Sequence, residues 1–209
     1  MNPAPGTRLV RLADVLRAIA TNGLHWSADA HDRARYEQTL AVAAELAGMA
    51  DTRDAAEIER LFRGDLGLRT PFVGVDGAVF DGSGRILLIQ RADNALWAMP
   101  GGAAEVGETP AEAVAREVRE ETELDVFATR LLGVYDSRRV DSPGAVHLYH
   151  LVFLCDVLGG SAACTPEAVA VAYVSQDDAL GRPLQPGHGT RIGDAFRAHR
   201  GDTRDTIFH

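Results

Sequence analysis

One stretch, GGAAEVGETPAEAVAREVREETEL at residues 101–124, constrains this chain more than any other. Thr109 is placed to cap a helix, Pro110 suits the first helical position, and Glu112 completes a capping box. The spacing therefore predicts a helix over 110–122. Ala111, Val114, Ala115 and Val118 repeat at i, i+3, i+4, i+7 and offer one apolar face to a sheet. At about 100° per residue, Glu117, Glu120 and Glu121 are expected on a different face, within roughly 100° of arc. Ala113, one turn earlier, is expected to leave room there. Glu112–Arg116 and Arg116–Glu120 are spaced to form ordinary i,i+4 pairs. Glu117 and Glu121 are a like-charge pair costing roughly 0.2–0.5 kcal/mol, and Glu120 adds a third charge beside them. A helix with only a structural task has easier choices.

The rest of the chain falls into two patterns. Residues 8–64 read as helical. Leu9, Leu12, Leu16 and Ile19 form one stripe that Asn22-Gly23 is expected to stop. Tyr36, Leu40, Ala43 and Ala47 form a second, and Asp54 precedes a third with Ile58, Leu61 and Phe62. So thin a bundle calls for a partner surface. Gly64, Gly67 and Pro71 punctuate its exit. The boundary is placed within 65–71, giving a helical domain at 1–68 and a second domain at 69–209.

Beyond it, Val73–Phe80 and Ile86–Ile89 read as strands joined by an Asp81-Gly82-Ser83-Gly84 hairpin turn. Leu96–Met99, Phe127–Tyr135, Val146–Val157 and Val169–Val174 read as further extended pieces, with a last helix at about Thr190–His199. Strands around one strongly marked helix imply an α/β domain, a mixed sheet with helices on its faces.

Composition narrows the chemistry. All 21 basic residues are Arg, which excludes a P-loop lysine, a Schiff base and a lysine general base. The net charge of −9 argues against nucleic acid and anionic membranes as partners. Residues 101–126 hold eight carboxylates against two arginines, a density that needs full solvation or cations. The two cysteines, Cys155 and Cys164, make no disulfide framework, and Cys155 sits in an apolar run as a buried thiol would. MNPAPGTRLVRL lacks the blocks of a secretory signal, and the apolar stretch Leu40–Ala50 is short and broken by Glu45. A cytoplasmic protein is expected. Clustered carboxylates without Cys or His select Mg²⁺ or Mn²⁺ over Zn²⁺. Mg²⁺ commonly bridges to substrate phosphate oxygens, which points to phosphoryl chemistry.

The segment resembles the Nudix box, G-x5-E-x7-R-E-U-x-E-E-x-G-U with U aliphatic. Gly102, Glu108, Arg116, Glu117, Val118, Glu120, Glu121 and Leu124 fall in register. Glu123 stands where the family has Gly, which puts the turn after the helix in question and not the acidic set. The resemblance implies a Nudix-type α/β/α sandwich and hydrolysis of a nucleoside diphosphate linked to a group X. It implies Glu117, Glu120, Glu121 and the Gly102 carbonyl as metal ligands, with one glutamate activating water. It implies that Arg116 orients Glu117, with Glu108 as its partner or as an outer metal contact.

IATNGLHWSADAHDRARYEQ, IERLF, TPFVGVDGAVF, LWAMPGG and LLGVYDSRR are similar to a bacterial Nudix subgroup with an N-terminal helical domain, which includes CDP-choline pyrophosphatases. That likeness implies a homodimer formed through the helices. It implies a CDP-choline-like conjugate as first substrate, ADP-ribose as second and a damaged or surplus nucleoside triphosphate as third. A non-catalytic nucleotide sensor on the same fold would show eroded carboxylates or a DNA-binding domain. Here the acidic set is complete and the helices carry no basic stripe. A purely structural dimer would need no divalent ion.

Other candidates are single residues. Glu167, on a turn before VAVAYV, is either an assisting acid or a solvated carboxylate. Arg91, Arg138 and Arg139 are candidate phosphate contacts, although each has an ordinary role as a surface charge. Trp97 is expected to pack under the Gly-rich loop, and Trp26, Tyr36 and Tyr149 to pack in a core or an interface rather than stack on a base. His147 and His150 are expected on opposite faces of one strand, and His188 in a loop as a minor substrate contact.

Overall fold

The computed structural model describes residues 5–67, 69–105, 107–140, 147–202 and 205–208. The chain divides into two compact units. The first runs up to Pro71 and also takes in His147, and the second begins at Phe72.

The first unit is three helices, α1 (Pro5–Trp26), α2 (Ala30–Gly48) and α3 (Ala55–Gly64). Asp29 and Asp54 cap α2 and α3, each accepting a backbone N–H three residues on. Ala20, Leu24 and Leu40 form the small core, with Tyr36, Phe62 and Leu66 against it. The expected stop at Asn22-Gly23 is overturned, because α1 continues to Trp26. Both residues serve packing instead. A Cβ on Gly23 would lie 2.4 Å from the Tyr36 ring, so this glycine lets α2 approach. Asn22 accepts the Arg69 N–H at 2.7 Å and donates to the Arg69 carbonyl at 3.3 Å. Arg33 ends α1 by donating to the Leu24 and Ser27 carbonyls.

The second unit contains β1 (Phe72–Val79), β2 (Ile86–Arg91), β3 (Trp97–Ala98), β4 (Gly101–Ala103), α4 (Pro110–Thr122), β5 (Leu124–Asp136), β6 (Leu148–Gly160), β7 (Ala168–Val174), α5 (Gln176–Leu180), α6 (His188–His199) and β8 (Ile207–Phe208). One sheet has the order β4-β1-β6-β5-β8 and the other β3-β2-β7. The five-stranded sheet is mixed, with β1 parallel to β6 and antiparallel to β4.

The expected β1–β2 hairpin forms only in its turn. The chain reverses at Asp81–Gly84 and makes a single Phe80–Ile86 bridge, then the strands part into separate sheets. The strand edges are taken by other partners, β4 and β6 for β1 and β3 and β7 for β2, and both strands are buried on two faces. Val75, Val79 and Leu87 pack with Val114 and Val118 of α4, while Ala78, Ile86 and Leu88 pack with Ile192, Ala195 and Phe196 of α6. A helix on either side of the β layer is the expected sandwich. The first residue of the expected Val146–Val157 strand lies outside the described residues, and His147 precedes β6 rather than belonging to it. Cys155 is buried in the α4-side core and Cys164 is exposed.

Helix α4 ends without a glycine. Its C-cap, Glu123, adopts the left-handed conformation at φ 60°, ψ 12°, and its N–H donates to the Arg119 carbonyl. A non-glycine residue there carries a steric penalty from its Cβ, and the Glu123 side chain is exposed. Glu123→Gly should therefore raise stability by about 0.5–1 kcal/mol, read as a higher denaturant midpoint at unchanged slope. A lower midpoint would show that this side chain is needed at the turn.

Candidate functional site

The site is built on α4 and β4. The capping box expected at the helix start is present. The Thr109 N–H donates to the Glu112 carboxylate at 2.7 Å, and the Glu112 N–H donates to Thr109 Oγ1 at 3.3 Å. Strand β4 pairs with β1, setting Gly102 opposite Val75 and Gly101 opposite Asp76.

Arg116 is the hub. Its Nε and Nη2 donate to Glu108 at 3.1 and 2.8 Å, and Nη2 also reaches the Ala103 carbonyl at 3.1 Å. Nη1 donates to Glu117 at 2.8 Å and to Glu120 at 3.0 Å. All five guanidinium donors are thus committed. Glu108 above all, with Glu117 and Glu120, holds Arg116 charged well above its ordinary value. In return Arg116, with the Glu105 N–H, holds Glu108 below the usual carboxylate range.

Two carboxylates are poorly compensated. Glu121 is only 4% exposed, and its side chain accepts the Gly101 N–H at 2.7 Å. Burial pushes it up to about 7, and Glu117 and Glu167 repel it further. Burial also raises Glu117, against Arg116, with Glu120 and Glu167 adding repulsion. The Glu117 carboxylate lies directly over Gly102, where a Cβ would sit 2.5 Å from its Oε2. A side chain at position 102 would force that carboxylate to move.

The expected common face for the three glutamates is overturned in one respect. Glu121 is buried with Val114 and Val118, whereas Glu117 is half-buried and Glu120 exposed. Glu121 follows Val114 by seven residues and Val118 by three, so it shares their side of the helix. Ala113 likewise packs in the core instead of opening the acidic face, and Ala111 is exposed.

Glu167 is exposed at the head of β7. Its loop is tied to the end of α4, since the Ala163 N–H donates to the Thr122 carbonyl at 3.0 Å and the Thr165 hydroxyl lies 3.5 Å from the Glu121 carbonyl. Arg91, at the end of β2, lies within the field of Glu121 and Glu167 and is clasped by Asp93 through Nε at 3.0 Å and Nη2 at 2.8 Å. Arg138 and Arg139 stand apart in sequence, on the turn after β5, where their N–H groups donate to Asp136 at 2.8 and 2.9 Å. Trp97 packs against the α6-side core with Arg182 over its ring at 3.8 Å. Trp26 is 74% exposed and so lies outside the core of its own unit.

Sequence reasoning missed a second cluster. Asp76, His188 and Arg191 are all buried on the α6 side, with His150 beside them. The one signal was an aspartate inside the apolar strand FVGVDGAV. His188, expected as a loop residue, opens α6 and is buried.

Among the described residues no three of His, Cys, Asp and Glu stand as a ready-made ion shell. Glu117 and Glu120 turn to Arg116, and Glu121 turns to the Gly101 N–H. The donor chemistry nonetheless fits a hard divalent cation. It is all oxygen, and burial and mutual repulsion push two of its members toward protonation.

A family profile described as the NUDIX domain matches residues 70–192, and one described as a UDP-X-like, N-terminal oligomerisation domain matches residues 7–62. The putative ADP-ribose pyrophosphatase YjhB of Bacillus subtilis is 34% identical over 205 residues, covering 97% of each chain. An ADP-ribose pyrophosphatase of Methanocaldococcus jannaschii is 46% identical over 93 residues, 43% of this chain and 53% of that protein. The crystal structure of an ADP-ribose pyrophosphatase from Streptococcus suis superposes with a TM-score of 0.59 at 31% identity, over 67% of this chain and all (100%) of that one. A UDP-X diphosphatase structure shares the fold, with a TM-score of 0.62 at 24% identity over 98% of this chain and 99% of that one.

The raised Glu121 sets a pH dependence. Its folded value of about 7 lies above the ordinary 4.5, so the folded state binds the extra proton between them. Stability of the metal-free protein should therefore fall as pH rises from about 4.5 to about 7. Melting temperatures across that window check this, with Glu121→Gln flattening the slope. An equal slope in the variant would assign it elsewhere.

Proposed function

The chain belongs to the Nudix hydrolases, enzymes that act on acid anhydrides, and from that premise we propose that it hydrolyses the diphosphate bond of a nucleoside diphosphate linked to X, with Mg²⁺ or Mn²⁺. The products are a nucleoside monophosphate and phospho-X. The substrates proposed are ADP-ribose and a CDP-choline-like conjugate. The name of the relative that spans the whole chain puts ADP-ribose first in the order of testing. The observation that carries the reading is the pair of undercompensated carboxylates, Glu117 over Gly102 and Glu121 on the Gly101 N–H.

In this reading Glu117, Glu120, Glu121 and the Gly102 carbonyl hold the cation. When bound, it neutralises the pyrophosphate and acidifies a water. The protein's own groups do the positioning. Arg116 orients Glu117 and Glu120, Glu108 fixes Arg116, and the Gly101 N–H fixes Glu121. One of the glutamates accepts the proton from the attacking water. Arg91 moves from Asp93 to a substrate phosphate, since a carboxylate and a phosphate use the same guanidinium fork. Glu167 assists from its loop, and Arg138 and Arg139 remain candidates for the distal part of the substrate.

The helical domain, 1–68, is proposed to dimerise a cytoplasmic enzyme whose catalytic domain is 69–209. Leu12, Val15, Ile19 and Trp26 leave an apolar stripe on α1, at 48, 44, 52 and 74% exposure. That spacing suits a second copy, and the match to an oligomerisation domain supports it. Among the described residues no helix is long and apolar enough to cross a membrane.

Incubation with Mg²⁺ and a panel of ADP-ribose, CDP-choline and nucleoside triphosphates, with product identification, tests the activity. Glu120→Gln should cut turnover by orders of magnitude while leaving the melting temperature nearly unchanged, because the Glu120 side chain is 54% exposed. Unchanged turnover in that variant would contradict the assignment.

A further inference from the structure

The buried cluster on the α6 side has no part in the chemistry above. Asp76 and His188 are each 4% exposed and Arg191 is 1% exposed. Stability alone is a weak reason for such a group, since apolar replacement of a buried ion pair is often neutral or favourable. Its geometry suggests a different role. Arg191 Nη1 donates to Asp76 at 2.5 Å, and its Nε donates to the Gly187 carbonyl at 3.3 Å. Gly187 directly precedes His188, so Arg191 ties that turn to β1. His188 Nδ1 accepts the Met99 N–H at 3.2 Å. The imidazole proton therefore belongs to Nε2, which faces Asp76 at 3.9 Å. His150 Nδ1 lies 3.3 Å from the same carboxylate.

The segment these groups touch is Met99-Pro100-Gly101-Gly102. It has little means of holding itself. Pro100 has no N–H to donate, and the two glycines bring the largest backbone freedom. It is held from outside at three points. Met99 donates to His188, the Pro100 carbonyl accepts the Gly77 N–H at 2.8 Å, and Gly101 is the register partner of Asp76. On its other side, the Gly101 N–H carries Glu121 at 2.7 Å.

We propose that Asp76, His188 and Arg191 are positioning residues that fix the Met99–Gly102 backbone and, through the Gly101 N–H, the carboxylate of Glu121. The catalytic consequence rests on the function proposed above. The positioning itself does not.

The test measures amide hydrogen exchange and steady-state kinetics on the full chain. His188→Leu removes the acceptor. Protection at Met99 and Gly101 should fall by about tenfold or more, and kcat should fall by about tenfold or more with KM within about twofold. His188→Asn places an amide oxygen near the Nδ1 position and should recover most of both. Ile192→Ala, a core change in the same helix, serves as a control compared at matched loss of melting temperature, and should leave Gly101 protection and kcat near wild type. Should His188→Leu fail to fold, His188→Gln is used instead, since its amide sits at the Nε2 position and leaves Met99 without its acceptor.

Unchanged Gly101 protection in the His188 variant would overturn the proposal, as would equal kcat losses in the Ile192 control. If the wild-type protein hydrolyses no anhydride in the panel, the function reading fails and exchange alone decides. Protection lost with Leu and recovered with Asn supports the network, and indifference to both overturns it.

Discussion

One guanidinium among too many carboxylates is the constraint on which the site depends. Arg116 commits every donor it has, reaching Glu108, Glu117, Glu120 and the Ala103 carbonyl. That leaves Glu121 with a single backbone N–H and Glu117 with a share of one cation. Both are buried enough for the shortage to matter, and both are displaced toward protonation. The capping box, the glycine pair of β4 and the α4-side core all serve to keep this crowded arrangement in place. A hard dication bound there would relieve that excess of negative charge, and hydrolysis of an anhydride is chemistry such an ion can assist.

The sandwich gives that arrangement a rigid floor. Strands β1 and β2 send alternate side chains to opposite cores, so neither strand can shift without disturbing both α4 and α6. Asp76 and Gly101 are register partners across β1 and β4. The buried ionic cluster and the acidic centre are therefore attached to the same short strand from opposite sides. A fold with a solvated sheet face would offer no such second anchor.

The features readable in the sequence were the locally encoded ones. Thr109, Pro110 and Glu112 announce the start of α4 within four residues, and its apolar rhythm sets its length. Features depending on distant partners were not readable. The Asp81–Gly84 turn was visible, but the pairing of β1 with β6 and β4, more than twenty residues away, was not. Gly23 looked like a helix stop because its real purpose, room for the Tyr36 ring, belongs to another helix. Counting about 100° per residue groups Glu121 with Glu117 and Glu120, yet its alignment with Val114 and Val118 buries it beside them. The short elements β4, α5 and β8 carry too few residues for periodicity to appear. Asp76 in an apolar strand was a visible anomaly, but its partners His188 and Arg191 lie over a hundred residues away.

The acidic side of α4 is proposed to hold a divalent ion. Crystals soaked in Mn²⁺ and measured for anomalous scattering test it directly. At least one strong anomalous peak is expected in contact with Glu117, Glu120 or Glu121, with Glu120 turned away from Arg116. An intact lattice at saturating Mn²⁺ with no anomalous signal beside α4 would contradict it.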